Sequence, residues 1–230
     1  VNVPMKALTS AAEGISRLAV LAKIPGEVTA KLTGKQVELV ALFFDAKGEI
    51  GEIVRDQADP ASLRGRDVDF AAGATVRPGD YLCRLVIRDM DSGMSAVASA
   101  RATIGKPQFT GLQLGTPLML ETRVGGTLID AHDRKAKEAF SWADLYPYDP
   151  SLFSPVLAEL PANVTSLSVI LPCAVPGGGQ PDLAVSASLV NSASGVQEPV
   201  FTAISSRVRK GPLEILTVEL PALDVGPGTY

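Results

Sequence analysis

Between Ser16 and Ile104, apolar and polar residues alternate with a period of two, in runs closed by Pro, Gly, Asp or Asn. The runs are SRLAVLAKI (Ser16–Ile24), KQVELVALFFD (Lys35–Asp45), GEIGEIVRD (Gly48–Asp56), DVDFAAGATV (Asp67–Val76) and the two halves of RPGDYLCRLVIRDMDSGMSAVASARATI (Arg77–Ile104). Successive side chains of a strand point to opposite faces, so this period turns one face of each run toward a core, which a helix cannot do. Asn2–Leu8 reads as a further strand ahead of these, giving seven in residues 1–105. A hydrophobic fraction of 46%, with 21 Gly and 17 Pro, supplies a core and the turns that punctuate it, and excludes a disordered chain.

Seven short strands at this spacing fit an immunoglobulin-like or fibronectin-III-like β-sandwich, without the Cys–Trp–Cys core of antibody domains. The pattern returns downstream. Ser16–Gly26 is similar to Thr165–Gly179, VELVALFFDAKGEI to LAVSASLVNSASGV, and DVDFAAGATVRPGDY to ILTVELPALDVGPGTY. Leu18 and Leu167 are 149 residues apart, and so are Tyr81 and Tyr230. The expected fold is therefore all-β, with two tandem sandwich modules at 1–105 and 151–230. A linker at 106–150 is expected to carry one strand and a short helix, since helical periodicity occurs only over Asp130–Tyr146. In the first copy Pro-Gly-x-Tyr introduces a hairpin, and the second copy reaches only its Tyr, so the second module is expected to lack two strands that a longer parent would supply.

A net charge of −4 gives no electrostatic footprint for nucleic acid, and the basic run Arg207–Lys210 reads as a solvated strand end. No apolar window approaches the length of about eighteen residues that membrane insertion by a helix needs. Because the first residue is Val, any export signal is expected to lie outside this sequence. Cys83 and Cys173 sit in apolar segments and read as small buried hydrophobes rather than a disulfide framework.

Three motifs invite chemistry. Asp89-Met-Asp-Ser-Gly93 begins like a calcium loop but has no closing carboxylate, so a hairpin turn is expected and no metal. His132 is the single histidine; beside Asp130 and Asp133 it has no nucleophile or ligand cluster around it and reads as a solvated linker residue. The glycine-rich Val175–Asp182 lacks the Lys-Ser/Thr of a phosphate loop and reads as a strand connection. Neither a catalytic constellation nor a cofactor is expected. The segment Phe140–Pro155 concentrates aromatic residues, including the only Trp. Two uses are open to Trp142, Tyr146, Tyr148 and Phe153: packing into the junction between modules, or forming an exposed platform that stacks on a glycan.

The Pro-Gly-x-Tyr hairpin, with GLQLGTPLML (Gly111–Leu120) and YPYDPSLFSP (Tyr146–Pro155), resembles the region downstream of the von Willebrand factor A-like domain in large secreted acidobacterial proteins, the VWFA-related family. The metal-binding Asp-x-Ser-x-Ser signature of the A domain is absent from this sequence, so no metal site is carried over. The resemblance implies a non-catalytic structural or protein-interaction region of an exported bacterial protein, extracellular or periplasmic. Other protein domains, including an upstream A-like domain of the same parent, would be its partners. The alternative is a carbohydrate-binding accessory module using Trp142, Tyr146 and Tyr148.

Overall fold

The computed structural model describes residues 3–12, 14–106, 111–123, 126–131, 141–157, 164, 166–174, 182–192 and 194–221. The fold is all-β, and its described strands stack in four layers. The first layer is a sheet of β3 (Val37–Phe44), β4 (Ile50–Ala58), β6 (Gly79–Asp89) and β7 (Ser95–Ile104), in the order β4-β3-β6-β7. Against it lies a sheet of β1 (Met5–Ala12), β2 (Ile15–Ile24), β5 (Val68–Val76) and β10 (Thr127–Ala131), in the order β1-β2-β5-β10, with β10 parallel to β5. The third layer holds β8 (Gln113–Leu114), β9 (Leu118–Thr122), β11 (Phe153–Pro155), β12 (Ser166–Ala174), β15 (Ala203–Lys210) and β16 (Leu213–Pro221). Its order is β11-β9-β12-β16-β15, with β8 also on β12. The fourth is the two-stranded sheet of β13 (Ala187–Val190) and β14 (Gln197–Val200).

The alternation read from the sequence places the first core. Leu18, Val20, Ala22 and Ile24 of β2 and Phe70, Ala72 and Ala74 of β5 face Leu39, Phe43, Leu85 and Ile87 of the opposing sheet. The intervening residues are not solvated. Ala19, Leu21 and Ala71, with Leu8 and Ala12, pack on Leu118, Leu120, Ile170 and Ile215 of the third layer. Strands covered on both faces lose their polar residues, which is why Leu18–Ala22 is apolar without interruption. On the far side of the third layer, Leu167, Leu220 and Val169 meet Ala187, Leu189 and Val200, and Cys173, Leu216 and Val218 meet Leu183 and Val185.

The strands expected from residue 2 to residue 104 form, with boundaries moved by a few residues. Tyr81 packs against the first core and its hydroxyl donates to the Arg77 carbonyl at 3.0 Å, so the Pro-Gly-x-Tyr turn is held by the ring that follows it. β2 pairs antiparallel with β5 and β12 with β16, but in different registers: Leu18 lies opposite Ala74, whereas Leu167 lies opposite Leu220, three residues before the position 149 residues beyond Ala74. Tyr230 lies outside the described residues, so its place relative to Tyr81 does too.

Residues 106–150 differ from expectation. Their described residues hold three strands rather than one, because Leu118, Leu120 and Ala131 can bury side chains only by joining sheets that already exist. The helix expected over Asp130–Tyr146 is not formed at its described ends. Asp130 and Ala131 belong to β10, and Trp142–Asp144 make one 3₁₀ turn capped by Ser141. Pairing with β5 gives the backbone of Asp130 and Ala131 a ladder that a short polar helix would not match.

Candidate functional site at the seam

The hairpin turn at Asp89 is a structural clamp. Gly93 adopts φ 72° and its N–H donates to the Asp89 carbonyl, while the Asp89 carboxylate accepts the N–H groups of Asp91 and Ser92 at 3.0 and 3.1 Å. It also accepts those of Thr33 and Gly34, both at 2.9 Å, tying the turn to the loop before β3. The backbone N–H donors, those of Ser92 and Gly34 foremost, hold the Asp89 carboxyl well below the usual range. Four donors occupy both oxygens, so the carboxylate has no lone pair left for a cation.

Trp142 and Tyr146 are 1% and 0% exposed, with ring centroids 4.7 Å apart, and they fill the core between the second and third layers. The Tyr146 hydroxyl donates to the Thr116 carbonyl at 2.9 Å. Neither ring offers a face on which a sugar can stack. Tyr148 and Phe153 are half-buried against the same core. All four rings thus pack in one core between the second and third layers. His132, Asp133 and residues 175–181 lie outside the described residues. Burial pushes the Cys83 thiol up to about 12 and that of Cys173 to about 11, leaving both inert. In the basic run, Arg207 pairs with buried Glu214 at 2.7 Å, and Lys210 bonds the Ala143 carbonyl at 2.8 Å and Asp144 at 3.1 Å.

A different set of residues forms the most chemically loaded place among those described. Where β2 ends and β5 begins, Lys23, Arg66, Asp67 and Asp69 meet Arg123, Gly126, Phe153 and Ser154 around a cleft of roughly 150 Å³. At this cleft two polar contacts cross the seam between the second and third layers. Lys23 donates to the Ser154 hydroxyl at 2.8 Å, and Arg123 pairs with Asp67 at 2.7 Å. Asp67 also accepts the Gly26 N–H at 2.8 Å, and its carboxyl is lowered by the Arg123 hydrogen bond first and the Gly26 one second. Asp69, directly opposite Lys23 in the β2–β5 ladder, is 5% exposed, and burial pushes its carboxyl up to about 6 against the opposing pull of Lys23 and Arg123. The Tyr148 hydroxyl is buried without a partner among the described residues, and burial first, then Asp69 and Asp130, raise its pKa.

Sequence reasoning missed this set. Its one visible signal was Asp69, the only charge in a strand that is otherwise Val, Phe, Ala, Gly and Thr; the meeting with Arg123 and Ser154 depends on sheet stacking that alternation does not encode.

No family model, no curated protein and no solved structure matches the chain.

Proposed function

We propose that this chain is a non-catalytic structural and protein-interaction region of a larger exported bacterial protein, built from two tandem immunoglobulin-like or fibronectin-like sandwich modules. The observation that carries the reading is the back-to-back packing of the second and third layers through Leu21, Ala71, Trp142, Tyr146 and Ile170. A junction with a buried aromatic core holds its two sides at one angle, which suits a spacer that must present other domains in fixed positions. Two further observations support a modular repeat. In each half the strand that carries the repeated leucine, β2 with Leu18 and β12 with Leu167, pairs antiparallel with a later strand of the same half, β5 or β16. The hairpins β3–β4 and β13–β14 turn alike: Asp45 accepts the N–H groups of Lys47 and Glu49, Asn191 accepts that of Ser194, and Gly48 and Gly195 sit at φ 80° and 69°.

The resemblance to VWFA-related proteins supplies the expected setting, with an A-like domain of the same parent as a partner and an extracellular or periplasmic location. The test is to compare small-angle scattering of the wild type with that of Trp142→Ala. A single rigid shape for the wild type and a broadened one for the variant is the expected result. A wild-type profile that needs a wide ensemble of inter-module angles would sink the spacer reading. The glycan-binding alternative has no exposed aromatic face at Trp142 or Tyr146 to favour it.

A further inference from the structure

The seam cleft holds two kinds of unused bonding capacity side by side. Asp69 is 5% exposed as a residue and lines the cleft, and its carboxylate forms no hydrogen bond among the described residues. Buried polar groups are nearly always paired, so an acceptor left open at the wall of a cleft marks a place for a donor. The remaining capacity is of the opposite sign. Lys23 gives one N–H to Ser154, Arg123 gives one Nη to Asp67, and the Arg66 guanidinium makes no ion pair among the described residues. The Tyr148 hydroxyl, close enough to Asp69 to feel its charge, is a second polar group without a partner among those residues.

We propose that the cleft binds a small dipolar ligand of the amino-acid class, whose ammonium donates to Asp69 and whose carboxylate lies against Arg66 and Arg123. A simple cation would meet three positive side chains, and a simple anion would meet two carboxylates. A molecule carrying both charges within a few bonds complements both sets. A space of roughly 150 Å³ admits only a ligand of few heavy atoms. The inference stands apart from the spacer reading, since neither requires the other.

The experiment is a titration of the full chain at about pH 7.5, where Asp69 is ionised, with glycine, acetate and methylammonium in separate arms, followed by backbone amide shifts and by heat. Glycine is expected to saturate in roughly the millimolar range, as befits so small a ligand, with shifts confined to Lys23, residues 66–69 and residues 121–123. Acetate and methylammonium should bind about tenfold more weakly or worse. Asp69→Asn should weaken glycine by about tenfold. Arg66→Ala, at an exposed position, should weaken glycine while leaving methylammonium no weaker, since the cation loses a repulsive neighbour. No saturable glycine binding would mean the cleft holds water only and would overturn the proposal. Acetate binding as tightly as glycine, or full glycine affinity in Asp69→Asn, would overturn it as well.

Discussion

The β3–β4 and β13–β14 hairpins begin from the same instruction and reach different ends. Both turn on an Asx residue and a left-handed glycine, yet β3 alternates buried and half-buried along its whole length whereas β13 alternates half-buried and exposed. The difference is the neighbour. β3 is bonded on its second edge by β6 over eight positions, and β6 is in turn bonded by β7 over ten. β13 pairs with β14 over four positions and, among the described residues, with nothing else. A two-stranded sheet is marginal by itself, because too few apolar side chains are covered per residue ordered. A hairpin signal therefore specifies a turn, while a firmly held layer needs a third and fourth strand.

Amide exchange should break or sharpen this comparison most strongly. Amides of β3 and β6 are expected to exchange about a thousandfold or more slowly than those of β13 and β14, since the former open only with the whole first core. Similar protection in both hairpins would show that the fourth layer is held as firmly as the first. Truncation comes next. Trp142→Ala should cost about 3–5 kcal/mol in urea unfolding and split one transition into two, because the ring fills the core that couples the layers. Leu189→Ala in the fourth layer, only partly buried, should cost about 1 kcal/mol.

The third prediction concerns pH. The native Asp69 carboxyl binds its proton more tightly than an unfolded one, so its contribution favours folding when protonated and declines as pH rises from about 4 through about 6. Stability should fall across that window by at most about 3 kcal/mol, and Asp69→Asn should flatten the slope. Asp89 runs the other way. Its native carboxyl is held low, so its stabilisation is present above the unfolded value of about 4 and is lost as pH falls toward the depressed native one. The smallest effect should come from chelation. Thermal midpoints with and without EDTA are expected to coincide, since the Asp89 oxygens are already saturated by backbone donors. A drop that calcium restores would show the turn to be a metal loop.

The seven strands of the first half were legible from residue alternation alone, because the period of a strand and the turn chemistry of Asp, Gly and Pro are local properties. The likeness of the segments around Leu18 and Leu167 was legible as well, and each of these segments forms an interior strand of its sheet, β2 and β12. The buried aromatic junction was half legible, since Trp142 and Tyr146 marked a place of burial without saying which surfaces they join. Residues 118–131 went unread as a set. Leu118–Thr122 joins the third layer, while Thr127–Ala131 runs parallel to β5 in the second, a choice of partner made across long sequence separations. The seam cleft was hidden for the same reason. Lys23 and Asp69 become neighbours through strand register, and Arg123 and Ser154 arrive only when one sheet is laid on another. Local periodicity decides what each segment becomes, whereas the burial of a strand's second face, which no local pattern encodes, decides what it touches.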